Sequence, residues 1–385
     1  MSRMVERDDS DTQPVGRRFR QWTPPDLPWL RRRIVPPPDV TAEEIASRDI
    51  AEQEIFEEAI EEVQLRTVAD WEFRFRAWRL AGLGLLLVLV LVVTMSRLLV
   101  GGPPSVAQLR EQAGVDSWTT LNIGVKDDQY GVAYFDPGAG EKWSGFDIDI
   151  AYMIAEDLGF RRDDVRFYGL ESEDRARMQA TDAKGKRVPV QLVIASYSVT
   201  DKRKAEGVHF SAPYLHTEQS VITLSGHSPV SALEDLEDQR VCTLSTSTSQ
   251  SALTLAGAHV SRKNRVRDCF AELDKRNIDA VSTDAAILAG WKHKFPDKYV
   301  HWDLGLENVE RWGVNVGDNA ALETLVNLTL YRSYADPADD RWELAYQRNL
   351  QSEIDKEKPV PIAEGMQPRV ERPDVRHLPW EDPLG

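Results

Sequence analysis

Cysteine is scarce in this sequence: two residues, Cys242 and Cys269, in a chain of 385. Two are too few for a disulfide framework, and they lack the spacing of a zinc site. The seven histidines are scattered, and none has a metal-ligand neighbour at useful spacing. No glycine-rich phosphate-binding loop occurs, and a single long apolar run leaves no channel bundle. No internal repeat is evident. Positive charge is also in deficit. Lys and Arg number 47 against 63 Asp and Glu, and the net charge of −16 argues against nucleic acid as a partner. Tryptophan, by contrast, is plentiful, and the length suits two domains of ordinary size.

The strongest local feature is the run from Leu80 to Ser96. It holds about 17 residues without a charge, enough as a helix to cross a hydrocarbon core. Nothing polar interrupts it on any face, unlike a buried core helix, and Trp71 and Trp78 precede it as interfacial aromatics do. The sequence therefore predicts a transmembrane helix over residues 79–100. Arg66, Arg74, Arg76 and Arg79 precede the run, against Arg97 and Arg110 after it, which places the N-terminal side in the cytoplasm. The apolar run lies too far from the N-terminus for a cleaved signal peptide, and no cysteine follows closely enough to accept a lipid. An uncleaved single-pass cell-membrane anchor is expected, with the bilayer as a partner and the C-terminal domain extracytoplasmic.

Residues 1–40, rich in Arg, Asp and Pro, read as a disordered cytoplasmic tail with Trp22 and Trp29 as docking candidates. Thr41 and Glu44 form a capping box opening an acidic cytoplasmic helix over 41–78, continuous with the span. Its glutamates form a solvated face or a docking surface for a signalling partner. Residues 101–116 form a linker. From Leu121 onward strands and helices alternate, which predicts parallel sheets in two α/β lobes. Strands are expected at 121–126, 165–168, 191–195, 240–244, 278–282 and 312–316. Helices are expected at 147–158, 249–256, 270–276 and 320–331. The proline-rich tail, 352–385, reads as loosely ordered.

Four segments carry more specific information. They are Gly145-Phe146-Asp147-Ile148-Asp149-Ile150; Ser196 to Arg203 with Val208 to Tyr214; Val241 to Ser249; and Ile278 to Asp284. In this order they resemble solute-binding protein family 3, the polar amino acid receptors of ABC importers. Glu310 to Val314 is similar to the family's return to its first lobe. The resemblance covers residues 119 to about 350 and says nothing about residues before Leu80. It implies an α/β, periplasmic-binding-protein-like type II fold, with two α/β lobes and a hinge, preceded here by one transmembrane helix. The two-lobed domain would span 117–351, with lobe 1 at 117–214 and 302–351 and lobe 2 at 215–301.

An amino acid carries a carboxylate and an ammonium on one carbon, so its site needs opposite charges on opposite sides. Arg203 offers a planar fork for the carboxylate, and within the family motif it is assigned that role over a surface pair with Asp201 or Glu206. Ser198 and the backbone at Ser196 add contacts, although the family usually has glycine at Ser196. Ser247 and Thr248 precede a helix whose free N–H groups suit a carboxylate, and Thr248 equally suits an ordinary cap. Asp284 would receive the ammonium or cap the next helix. Phe146 would pack on the ligand's stem or lie in the core.

Lys126 ends the first strand, where relatives contact the ligand side chain. A lysine there suits a second carboxylate, hence glutamate or aspartate, or it neutralises Asp127 and Asp128. The surrounding residues resemble those of glutamate-binding receptors of Gram-positive importers, with Tyr130 replacing a usual proline. Those relatives carry a similar cysteine pair, which implies a bridge between Cys242 and Cys269; two buried thiols are the alternative. Such a bridge would be worth about 3–4 kcal/mol. No cofactor or metal is implied, and no added catalytic segment marks the chain as an enzyme. The resemblance implies delivery of the ligand, captured by hinge closure, to separate permease and ATPase subunits of an ABC importer; sensing through the membrane helix to a cytoplasmic partner is the alternative.

Overall fold

The computed structural model describes residues 41–100, 102–304, 309–350 and 362–376. The chain divides into two compact units at Ser96/Arg97. In the first, helix α1 (Ala42–Val100) runs without interruption. Within it Phe75–Ser96 is long and apolar enough to cross a membrane, and its side chains are exposed. This window starts a turn before the expected 79–100 and stops at the charge of Arg97. The hydroxyl of Thr94 is satisfied inside the helix by Val90 O at 2.7 Å. The tail expected at 1–40 lies outside the described residues.

The second unit is built on two main sheets, one in each lobe, with two small antiparallel ones beside them. In lobe 1, β1 (Leu121–Val125) lies between β5 (Val165–Gly169) and β8 (Leu192–Val193), both parallel to it. Around them pack α2 (Val106–Ala113), α3 (Phe146–Asp157), α8 (Ala320–Ala335) and α9 (Arg341–Asn349), and the lobe also holds the short α4 (Asp201–Ala205). A capping box of Ser105 and Gln108 starts α2 and left-handed Gly114 ends it, as their types favour. Two antiparallel additions complete the lobe. One joins β2 (Asp128–Gln129), β3 (Ala133–Phe135) and β4 (Trp143–Ser144); the other joins β6 (Gln179–Thr181) and β7 (Arg187–Pro189). Gly145, at φ +123, starts α3 where any Cβ would lie 2.3 Å from Val132 O, so only glycine fits there.

The sheet of lobe 2 is mixed. Its order is β11 (His259–Lys263), β10 (Arg240–Leu244), β12 (Ala280–Asp284), β9 (Leu215–Leu224) and β13 (Tyr299–Trp302), with β14 (Val309–Trp312) also on β9. Only the β11–β10–β12 part is parallel; β9 runs antiparallel to β12, β13 and β14. The sequence pattern, which predicted parallel sheets, did not reveal this reversal, because buried strands read alike in either direction. Helices α5 (Ser249–Leu255), α6 (Val266–Asp274) and α7 (Ala285–Lys294) complete the lobe.

The two crossovers between lobes are themselves paired strands. Leu215 of β9 faces Trp312 of β14, whereas Trp302, expected in lobe 1, pairs with Val221 in the second sheet. The strand expected at 312–316 ends at Trp312, and Asn315 makes isolated bridges to Val193 and Phe210. Cys242 on β10 and Cys269 on α6 form a disulfide, with Cα atoms 5.6 Å apart.

The C-terminal segment departs from expectation. Residues 362–376 form an ordered strap, with Ile362, Val370 and Val375 buried in the main core. Glu364 N donates to His216 O at 2.9 Å, Gln367 Nε2 to Leu330 O at 2.9 Å, and Arg376 N to Pro104 O at 3.0 Å. Spaced apolar residues anchor this proline-rich segment despite its polar composition.

Candidate ligand-binding site

The site begins with local sequence. Thr200 caps α4 by accepting the N–H of Arg203 at 3.2 Å, which fixes Arg203 in the first turn. The Arg203 guanidinium lies 4.5 Å from the centre of the Tyr197 ring. Its Nη1 donates to Ser198 O, and its Nη2 donates to Thr246 O at 2.6 Å. Asp284 ends β12 and precedes α7; its side chain makes no cap bond and instead accepts Trp312 Nε1 at 2.6 Å. Thr248 precedes α5 in helical conformation and likewise makes no side-chain cap.

These groups converge. A narrow cleft is lined by Arg175, Ser196, Ser198 and Arg203 from one lobe, with Leu244, Ser247, Thr248, Thr283, Asp284 and Ile287 from the other. Six of the eight expected ligand contacts therefore share one space. Lys126 and Phe146 do not line it. Lys126 is buried beside the cleft, where its ammonium donates to Ser172 Oγ at 2.8 Å, Asn264 O at 3.3 Å and Leu170 O at 3.5 Å. Phe146 lies fully in the core, edge-on to Trp342 and Tyr346, because the first turn of α3 faces inward.

Arg175 is the residue that sequence reasoning missed. Its guanidinium covers the Tyr197 ring at 4.5 Å. It donates to Ser196 O at 3.2 Å and to Thr246 Oγ1 at 3.3 Å, one partner from each lobe. Both partners hold left-handed backbone, Ser196 at φ +44 and Thr246 at φ +60. Such conformations are costly for residues with a Cβ and persist where the surroundings fix them. At Ser196 the fixing group is buried Asp147, which accepts the Ser196 N–H at 2.9 Å and the Tyr214 hydroxyl at 2.9 Å. This conformation also accounts physically for glycine as the usual residue there.

The electrostatics are uneven. Burial first, then repulsion by Glu310, raises the Asp284 carboxyl to about 7, against the pull of Trp312, Arg175 and Arg203. Burial and repulsion by Arg203 lower Arg175 to about 10. Burial also lowers Arg203. Two cations thus share the cleft with one reluctant anion, and the arrangement favours a ligand that brings extra negative charge. Among the described residues no cluster of metal-ligating side chains occurs.

A model of the bacterial extracellular solute-binding proteins, family 3, matches residues 121–346. This chain belongs to that family. Within it, the glutamate-binding protein GluB of Corynebacterium efficiens is 27% identical over 234 residues, covering 58% of this chain and 76% of that protein. The membrane-bound lytic murein transglycosylase F of Pseudomonas fluorescens is 27% identical over 201 residues, covering 50% of this chain and 39% of that protein. Among solved structures, an ancestral arginine-binding protein bound to glutamine superposes with a TM-score of 0.51 at 28% identity, over 60% of this chain and 98% of its own. The family consists of amino acid and other solute receptors with the type II periplasmic-binding-protein-like fold found here.

Proposed function

We propose that this protein is a membrane-anchored, extracytoplasmic receptor that captures an acidic amino acid, glutamate or aspartate, by closure of its two lobes. The observation that carries this reading is the charge set of the cleft: Arg175 and Arg203 facing Asp284. Arg203 with Ser198 would take the α-carboxylate, helped by Ser196 and by the start of α5 at Ser247 and Thr248. Asp284 would take the ammonium. Arg175, in place of Lys126, would face the side-chain carboxylate. The two relatives named as glutamate-binding proteins support the same ligand class. Because the contacts come from both lobes, bound ligand favours the closed form.

The receptor would deliver its ligand to the permease and ATPase of an ABC importer, acting as a binding protein rather than an enzyme. Sensing is the second reading, favoured by one observation: α1 continues unbroken from Ala42 through the apolar window. Calorimetric titration of the full chain with glutamate, aspartate, glutamine and arginine tests the ligand class. Micromolar binding, worth about 8 kcal/mol, confined to the two acids is expected. Tighter binding of glutamine or arginine would reject the assignment of Arg175.

A further inference from the structure

Away from the cleft, the lobes meet along a second set of contacts. Tyr130 follows β2 in lobe 1, and its ring lies edge-on to Trp291 at 5.0 Å and to Phe295 at 6.2 Å, both in or next to α7 of lobe 2. Trp291 is in turn stacked on Phe270 at 4.0 Å, so the receiving surface is backed by the core of its own lobe. Beside the ring the two backbones touch. A Cβ on Gly290 would lie 1.7 Å from Tyr130 O, and a Cβ on Gly131 would lie 3.9 Å from the Gly290 Cα.

Charges line the same rim with opposite signs. Asp127 of lobe 1 is clamped by Arg265 and Arg267 of lobe 2. Asp128 accepts the Arg267 N–H at 3.0 Å, and Glu171 accepts Asn264 Nδ2 at 3.0 Å. None of these residues lines the cleft.

We infer that Tyr130, the Gly131–Gly290 contact and the Asp127–Arg265–Arg267 cluster form a latch that sets the lobe-closure equilibrium independently of ligand chemistry. The inference rests on lobe closure as the capture step. Binding to a closing protein is weakened by the fraction of molecules that cannot close, so a residue touching no ligand still scales the apparent affinity. Such a residue changes the affinity for every ligand by the same factor and leaves their order unchanged. The glycine at 290 is the most informative position. Alanine there favours the helix, and the three nearest atoms its methyl group would meet all belong to Tyr130 of lobe 1, so it collides on closing.

The test uses the full chain in nanodiscs with donor and acceptor dyes at Lys184→Cys and Leu255→Cys, exposed positions on opposite lobes. Single-molecule energy transfer is recorded with and without glutamate for the parent, Gly290→Ala and Tyr130→Ala. Gly290→Ala is expected to reduce the high-transfer population even without amino acid and to raise the glutamate Kd at least tenfold. Tyr130→Ala is expected to act in the same direction, about fivefold, with glutamate and aspartate affected equally. Unchanged transfer histograms and affinities in both variants overturn the latch. If the variants open while glutamate neither binds nor closes the parent, the latch stands and the proposed ligand class falls.

Discussion

Two arginine clusters lie close together in this molecule and differ in how their charge is met. At the rim, Arg265 and Arg267 face Asp127, with Asp128 and Glu171 adjacent, all supplied by the chain. In the cleft, Arg175 and Arg203 find mostly carbonyl and hydroxyl partners, and the one carboxylate that lines it, Asp284, is itself held back from ionising. Burial magnifies the second imbalance, because a buried charge without a counter-charge costs several kcal/mol. A balanced cluster holds parts of the protein together. An unbalanced one creates a demand for an ion from outside.

The largest break in this comparison should come from Arg203→Ala, with loss of amino acid affinity of a hundredfold or more by calorimetry, on the order of 3 kcal/mol. A null result would remove the cleft from consideration. Arg175→Gln should act more selectively, lowering glutamate affinity roughly tenfold and glutamine affinity about twofold. Loss of both alike would make Arg175 a structural strut between Ser196 and Thr246.

Acidity gives a third, smaller effect. Asp284, raised to about 7, must be ionised to meet an ammonium, so Kd should rise up to tenfold per unit as pH falls below 7 and level off above it. Burial, then repulsion by Arg175 of the cleft, lowers Lys126 to about 7 as well, so Asp284→Asn separates the two: it should flatten the profile if Asp284 is responsible. The smallest effect should be that of salt. Raising ionic strength from 0.05 to 0.5 M should weaken the partly exposed rim and raise Kd by about twofold, whereas the buried cleft pairs are shielded.

How much of this was legible depended on where each residue sits. Strands β1, β5 and β10 and helices α3 and α8 followed from apolar periodicity, which reports burial directly. The grouping of Arg203, Thr248 and Asp284 followed from motif order, since each stands where a strand or turn meets a helix. Arg175 was invisible because it lies in a short 3-10 segment, Ser172–Arg177, whose alternating charges read as solvated surface. The surplus of arginine over nearby acid in the cleft is a spatial fact with no sequence signature. The position of Lys126 outside the cleft lining has a different reason. Successive side chains at a strand end point to opposite faces, so the direction of one residue depends on where the strand stops.

The disulfide acquires a mechanical meaning from its position. Cys242 lies on the strand that leads into Thr246, Ser247 and Thr248; Cys269 lies on the helix that begins just after Arg265. The covalent bond therefore joins the segment that would read the ligand to the segment that grips the other lobe, like a bracket between two jaws of one clamp. With the bracket intact, a displacement at one segment is carried to the other. Cut, the two segments would move separately, and recognition and grip would lose their common frame.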